Sequence, residues 1–198
     1  MLQKINILTL FSALALFFLP WLDLRCSGKS LYTQTGFQTV CGASTPAPEM
    51  KAQLEQMRAL SSKSASPMPE SMGISLLSGG ALLAIACGLI FSFVSLRDGR
   101  RSLAPGLLAA IALVLLVTQM MIEFPAKGVL EKSLLAPAGE RTRNDPSAGG
   151  DAALAAATMR VEVIYQHALY IELALLGIPT LILVNSLLDR LRKNSGLS

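Results

Sequence analysis

Residues 19–42, LPWLDLRCSGKSLYTQTGFQTVCG, follow an apolar run and contain two of the chain's three cysteines, Cys26 and Cys41. Apolar and polar residues alternate on both sides of Ser27-Gly28-Lys29, over residues 21–26 and 30–40. This alternation around a turn predicts a small β-hairpin directly outside an apolar segment. Trp21, after Pro20, is predicted to lie at the membrane interface.

The composition is that of a membrane protein. Of 198 residues, 52% are hydrophobic and 15% are charged, whereas soluble domains contain about a quarter charged residues. Four apolar runs approach the roughly 20 residues that a membrane-spanning helix needs. They cover about residues 5–22, 74–96, 103–122 and 163–188. We therefore predict one all-α integral membrane domain, a four-helix bundle with a small outer hairpin and helical outer loops at 23–73 and 123–162.

Basic residues flank these runs on one side. They lie between the second and third runs and after the fourth: Arg97, Arg100, Arg101, Arg190, Arg192 and Lys193. Because lysine and arginine mark short cytoplasmic flanks, both termini are predicted to be cytoplasmic and the two long loops to face outward. Residues 22–26 lack the small residues of a cleavage site, so the first run is predicted to be a retained anchor helix rather than a signal peptide.

The predicted orientation places Cys26 and Cys41 in an outer compartment, where disulfides persist. A bond between them would close a loop of about fifteen residues, worth about 3 kcal/mol in the chain-entropy model. A structural disulfide is the favoured interpretation, with metal or redox use and free thiols as alternatives. Cys87 lies inside the second run and is predicted to be a small buried residue.

The Trp before a cysteine pair in the first outer loop resembles claudin-type tetraspan proteins. It is also similar to bacterial four-span proteins of unknown function whose first helix ends in Pro-Trp and runs into a Cys-containing hairpin. The resemblance covers residues 19–42 and the topology. It implies a helical bundle with an outer sheet and, with the compact size, a bacterial inner membrane. The second Trp and the shorter cysteine spacing of claudins are missing, so barrier function is not implied.

Two outer segments are predicted to be helical. Residues 46–60, PAPEMKAQLEQMRAL, place Pro48 at a helix start and apolar residues at Met50, Leu54 and Met57, the pattern of an amphipathic helix. Asp151 is a candidate N-cap for a helix that continues without a break into the fourth span. The intervening residues 137–151 are rich in Gly, Pro and charge, which predicts a loop.

The second run contains small residues at four-residue spacing, Gly80, Ala84 and Gly88. Such a ridge lets helix backbones approach closely in lipid, where no hydrophobic gain drives association. Packing within the chain is the favoured interpretation, and contact with another subunit is the alternative.

A polar group is predicted near the outer ends of spans three and four: Gln119, Glu123, His167 and Glu172. A carboxylate inside the membrane costs about 2–3 kcal/mol on insertion scales, so Glu172 should be protonated, paired or beside water. A buried polar network is favoured over a proton or ion path. The methionines near the outer side and the single His leave Cu(I) handling as a further alternative, but the sequence contains no Glu-x-x-His.

The sequence predicts a structural or interaction subunit. It contains no nucleophile elbow, no His-Glu-x-x-His and no phosphate-binding glycine loop, so we predict no enzymatic activity and no cofactor or metal. The expected partners are membrane lipids and other membrane or extracytoplasmic subunits, including a second copy of the chain, and not nucleic acid. A small transporter or a metal- or proton-handling protein using Glu172 and His167 is the alternative.

Overall fold

A computed structural model describes residues 2–26, 28–52, 71–98, 102–132 and 161–194. Its helices are α1 (Leu2–Leu16), α2 (Gly36–Cys41), α3 (Leu76–Asp98), α4 (Ala104–Ile122) and α5 (His167–Asn194), and its strands are β1 (Pro20–Cys26), β2 (Lys29–Thr35), β3 (Thr45–Pro46) and β4 (Val161–Tyr165). Residues 48–52 and 125–132 are also helical.

The chain forms two compact units. The bundle unit comprises Met1–Leu19, Leu76–Ile122 and His167–Ser198, and the sheet unit comprises Pro20–Ser75 and Glu123–Gln166. The division separates the apolar helices from the segments predicted as outer loops.

Three helices, α3, α4 and α5, are long and apolar enough to cross a membrane. The first predicted span, residues 5–22, is helical only as far as Leu16, so α1 has 15 residues. At 1.5 Å per residue it is about 22 Å long, shorter than a hydrocarbon core of about 30 Å. A turn ends it, in which the Phe18 N–H donates to the Ala15 carbonyl at 3.1 Å, and Pro20 then starts β1.

The four bundle helices pack in a ring, with α1 and α4 each contacting both α3 and α5. Of the predicted small-residue ridge, Gly80 and Gly88 face α4. A Cβ at Gly80 would lie 3.2 Å from Leu115 Cδ1, and one at Gly88 would lie 3.4 Å from Leu108 Cβ. A Cβ at Gly88 would also lie 3.4 Å from Leu10 Cδ1 of α1. This face of α3 therefore packs within the chain. Ala84, between the two glycines, is buried.

The sheet is larger than the predicted hairpin. Its strand order is β3-β2-β1-β4, and each neighbouring pair is antiparallel. The β1–β2 hairpin is confirmed, and Gly28 in its turn has a left-handed backbone, φ 79°, which glycine adopts at little cost.

The predicted unbroken helix from Asp151 into the fourth span is wrong over the described residues. Residues 161–165, VEVIY, form β4 and pair with β1, and α5 begins only at His167. Their β-branched residues and apolar–polar alternation favour a strand that has one covered face. Residues 151–160 and the predicted loop at 137–151 lie outside the described residues.

The second strand of the hairpin is shorter than predicted because α2 begins at Gly36. The Thr35 side chain accepts from the Gln38 N–H at 3.1 Å, and Gln38 Oε1 accepts from the Thr35 N–H at 3.0 Å. This reciprocal capping box satisfies backbone donors that a helix start leaves unpaired. Gly42 closes α2 in the left-handed region, at φ 71°. Of the predicted helix at 46–60, residues 48–52 are helical, beginning at Pro48, and residues 53–60 lie outside the described part.

One face of the sheet packs on the 125–132 helix. Leu24, Tyr32 and Val161, from three different strands, form a buried cluster with Ala126 and Leu130. Burial raises the pKa of the Tyr32 hydroxyl, because an apolar environment disfavours the phenolate.

Trp21, which was predicted to lie at the membrane interface, is fully buried within the protein. A Cβ at Gly36 would lie 2.5 Å from Cε2 of its indole, so only glycine leaves room for the ring at the start of α2.

Gly36→Ala is therefore expected to destabilise the sheet unit. The methyl group must displace a buried ring, at a cost of about 1–3 kcal/mol. Trp21 is the only tryptophan in the chain, so intrinsic fluorescence during thermal unfolding reports directly on this site. We expect the midpoint to fall by several degrees.

Gly128→Ala is the matched control because a Cβ there meets nothing within 4 Å, and alanine is the better helix former. Its midpoint should stay the same or rise. Equal losses in the two variants would show that the Trp21–Gly36 contact does not carry the effect.

Candidate functional site

Glu172 is the most unusual polar residue of the bundle unit. It lies on α5 with 0% of its surface exposed, and neither carboxylate oxygen has a hydrogen-bond partner among the described residues. Buried polar groups are normally hydrogen-bonded, and an isolated buried charge is far more costly than a neutral group. Burial of the Glu172 carboxyl group without hydrogen bonds is therefore energetically unfavourable.

Gln119 of α4 is buried near the same end of the bundle. A Cβ at Gly106 of α4 would lie 2.8 Å from Leu183 Cβ of α5, which aligns the two helices. Helix α4 leads into the sheet unit and α5 leaves it, so the helices run antiparallel. From this contact Gln119 is about 20 Å along α4 and Glu172 about 16 Å along α5, at 1.5 Å per residue. The two residues are thus within about one helical turn of each other along the bundle.

The other two residues of the predicted polar group lie in different environments. His167 is exposed at the first position of α5. Glu123 belongs to the sheet unit, where its carboxylate accepts two hydrogen bonds from Lys127 Nζ, at 2.7 and 2.8 Å. Both residues are therefore exposed, whereas Glu172 is buried.

Hydroxyl groups in the bundle helices bond to their own backbone. Thr9, Ser92 and Thr180 donate to carbonyls one turn earlier, at 3.0, 2.8 and 2.8 Å, a common way to satisfy hydroxyls in apolar helices. Asn6 differs, because its Oδ1 atom is buried with no partner in the described part of the chain. Sequence analysis missed Asn6, although an amide within an apolar run was the available signal.

A cavity lies beside β4, which is the last strand in the order of the sheet. It has a volume of about 520 Å³ and is lined by Val161–Tyr165 and by Glu123, Lys127 and Glu131. Glu123 lies two residues before the 125–132 helix, and Lys127 and Glu131 follow at intervals of four residues. The sequence analysis did not anticipate this cavity because it treated the residues around β4 as one long helix.

Asp23 is a buried carboxylate with a complete set of partners. Arg25 Nε donates to its Oδ2 at 2.7 Å and Ser30 Oγ donates to its Oδ1 at 2.5 Å. The Ser30 bond joins β2 to β1 beside the turn, and the Arg25 bond lies within β1, so Asp23 stabilises the hairpin.

The predicted disulfide is not formed in the structure. Cys26, Cys41 and Cys87 are all free thiols. Cys26 pairs with Lys29 at the turn end of the hairpin, whereas α2, which ends at Cys41, begins beyond Thr35. The two ends of β2 are roughly 20 Å apart, and a disulfide needs Cα atoms within about 7 Å. Cys87 is exposed rather than buried as predicted.

Within the described segments, no three His, Cys, Asp or Glu side chains are grouped in a way that could hold a metal ion. No protein-family model, curated protein or solved structure matches the chain. The resemblance to four-span and claudin-type proteins therefore stays a prediction.

Alkylation of the cysteines tests the hairpin geometry. We expect protein denatured without reductant to take up three maleimide groups, as measured by intact mass, because the register holds Cys26 and Cys41 apart. The Cys26→Ser, Cys41→Ser double variant should take up one group with or without reductant. If the parent took up only one group until reduced, the strand register at Cys26 would be wrong.

Replacing Glu172 tests whether its buried carboxyl group destabilises the fold. Glu172→Leu is expected to raise the thermal stability of the purified protein, because it removes an unpartnered buried polar group that costs about 1–3 kcal/mol. Tyr170→Leu, at an exposed position of the same helix, should change it little. A clear loss of stability in Glu172→Leu would mean that the carboxyl group is satisfied in the membrane.

Proposed function

We propose that this chain is an integral membrane subunit whose sheet unit faces outward and docks a partner protein. One observation carries the proposal: the sheet is assembled from both long loops and ends in β4, beside which a cavity is lined by charged residues. About half of the chain is committed to this unit.

In this proposal α1 is the fourth membrane span. It runs antiparallel to α3, since Leu10 lies beside Gly88 and Gln3 Nε2 donates to Ser95 Oγ at 3.1 Å. Its buried residues Leu10, Ala13 and Phe17 face the bundle, and Leu8 and Phe11 are exposed. The exposed apolar side chains of all four helices would contact lipid. A short span is accommodated by local thinning of the bilayer at modest cost.

The orientation follows from charge. Arg97, Arg100 and Arg101 between α3 and α4, and Arg190, Arg192 and Lys193 near the end of α5, favour a cytoplasmic location for this end of the bundle. Both termini would then be cytoplasmic and the sheet unit extracytoplasmic, in a bacterial inner membrane.

Purification in mild detergent tests docking. We expect the parent to elute as a complex larger than the single chain, either with other membrane or extracytoplasmic proteins or as an oligomer, because no described strand pairs with the outer edge of β4. Size-exclusion chromatography with light scattering, followed by mass spectrometry, gives the composition. A lone monomer, recovered under conditions that preserve a known complex of the same membrane, would contradict the proposal.

A second function, proton handling, is supported by the unpartnered oxygens of Glu172 alone. A carboxyl group in that position can take up and release a proton if water reaches it. In reconstituted vesicles, this function requires a pH-gradient-driven proton flux that Glu172→Gln abolishes and Glu49→Gln, at an exposed residue of the sheet unit, leaves unchanged. Flux equal to that of empty vesicles would remove this candidate.

A further inference from the structure

The outer edge of β4 offers backbone hydrogen-bonding groups. The Gln166 N–H donates to the Trp21 carbonyl at 2.7 Å, so this pair lies at a hydrogen-bonded position of the β1–β4 ladder. Such positions alternate along an antiparallel pair. Residues 162 and 164 therefore direct their backbone groups towards β1, and Val161 and Val163 direct theirs away from it. Among the described residues, no strand pairs with that side of β4.

The cavity of about 520 Å³ lies along this edge, between β4 and the 125–132 helix. Its volume is within the range of sites that enclose small ligands, and its length follows all five residues of β4. Because all five residues of β4 line it, a short extended segment that continued the sheet would occupy this cavity.

The charge lining the cavity is negative. Glu123 is paired with Lys127, and its hydrogen bonds hold the pKa of the Lys127 amine above its usual value, so that this pair is neutral overall. Glu131 and Glu162 also line the cavity, and neither has an ion-pair partner in the described part of the chain. The described lining therefore carries the carboxylates of Glu123, Glu131 and Glu162 against the single amine of Lys127, whose pKa Glu131 also helps to raise.

We propose that an extended, basic segment of a partner protein adds to β4 as a fifth strand. Its backbone would bond to Val161 and Val163, and its lysine or arginine side chains, on the face of the sheet opposite the 125–132 helix, would pair with Glu162. Main-chain bonds give such strand addition its affinity, and side chains give it specificity. A second copy of the chain presenting the same edge is disfavoured, because the same carboxylates would then face each other. The inference rests on the proposed docking function and names the partner's chemistry.

The strand geometry also predicts the pattern of the partner segment. Val161 and Val163 point to the face that packs on the 125–132 helix, whereas Glu162 points to the opposite face. Successive side chains of an added strand alternate between the same two faces. A segment of alternating basic and apolar residues therefore matches this edge.

A labelled, blocked hexapeptide of alternating lysine and valine tests the proposal. It would be titrated against the full-length protein in nanodiscs of zwitterionic lipid, with binding followed by fluorescence anisotropy. We expect saturable binding above that to empty nanodiscs. The Glu131→Gln, Glu162→Gln double variant should bind severalfold more weakly, because it removes the exposed ion pair of Glu162, which contributes a few-fold, and the negative charge of Glu131 near the same edge. Glu49→Gln, which removes a charge away from the cavity, should bind as the parent does.

Two altered peptides separate strand addition from simple charge attraction. N-methylation of the valine nitrogens removes backbone donors without changing the charge, and should weaken binding at least tenfold. The glutamate–valine peptide should not bind. Binding that survives N-methylation, binding unaffected by the double variant, or no binding of the lysine–valine peptide would each overturn the inference.

The outcome is distinguishable from failure of the docking function itself. If the parent purifies as a complex but the lysine–valine peptide does not bind, the partner docks elsewhere and only the inference at β4 fails. If the chain purifies as a monomer and the peptide does not bind, both fail.

Discussion

The pairing of β1 with β4 is the interaction on which the sheet unit depends. It joins segments separated by more than a hundred residues and brings the first predicted outer loop against the second. Leu24 and Val163 lie directly opposite each other in this ladder, and the cluster that they join packs on the 125–132 helix. Without this pairing, the first loop would present an isolated hairpin, which is marginally stable in water.

The same pairing determines what a partner could recognise. It uses the backbone groups of alternate β4 residues and leaves those of Val161 and Val163 directed to the other side. Edge strands that are left exposed promote unwanted pairing, and proteins commonly protect them with charge. Glu131 and Glu162 are consistent with such protection against a second copy of the chain, and they would equally select a basic partner.

In the bundle unit, helix packing and hydrogen bonding are mostly satisfied; among the described residues, the exceptions are the buried oxygens of Glu172 and of Asn6, which have no hydrogen-bond partner. Glycines on α3 and α4 stand where neighbouring helices approach closely, and hydroxyl groups bond to their own helices. Glu172 has neither arrangement. Positions that break the local rules without compensation are where function is most often found, and this makes Glu172 the residue of the bundle most worth testing.

The apolar helices and the hairpin could be predicted because they depend on local patterns. Runs of apolar residues gave the positions of α3, α4 and α5, and the turn around Gly28 gave the β1–β2 pair. The capping box of Thr35 and Gln38 was also a local signal. It was missed because the alternation of apolar and polar residues over 30–40 was interpreted as one strand. The role of VEVIY at 161–165 was not predictable in this way, because a strand beside an apolar run reads as helix until its partner β1 is known.

The candidate sites were harder to predict. Glu172 was identified because a charged residue within an apolar run is costly to bury. The structure does bury it completely. The grouping with His167 and Glu123 stays a prediction; the sequence spacing did not show that α5 begins at His167 or that Glu123 pairs with Lys127. The disulfide was predicted from sequence separation alone, whereas in the structure Cys26 is a free thiol paired with the first residue of β2 and Cys41 is a free thiol at the end of the helix that follows β2.

The β1–β4 register can be tested by a single new cysteine. Cys26 and Val161 face each other at a position where the ladder has no direct hydrogen bonds, and Cα atoms at such positions are about 4.5 Å apart. In a background with Cys41→Ser and Cys87→Ala, mild oxidation of Val161→Cys should form a disulfide with Cys26, whereas Glu162→Cys, on the opposite face, should leave both thiols free. Free thiols in Val161→Cys, or equal bridging in the two variants, would contradict the structure of the sheet.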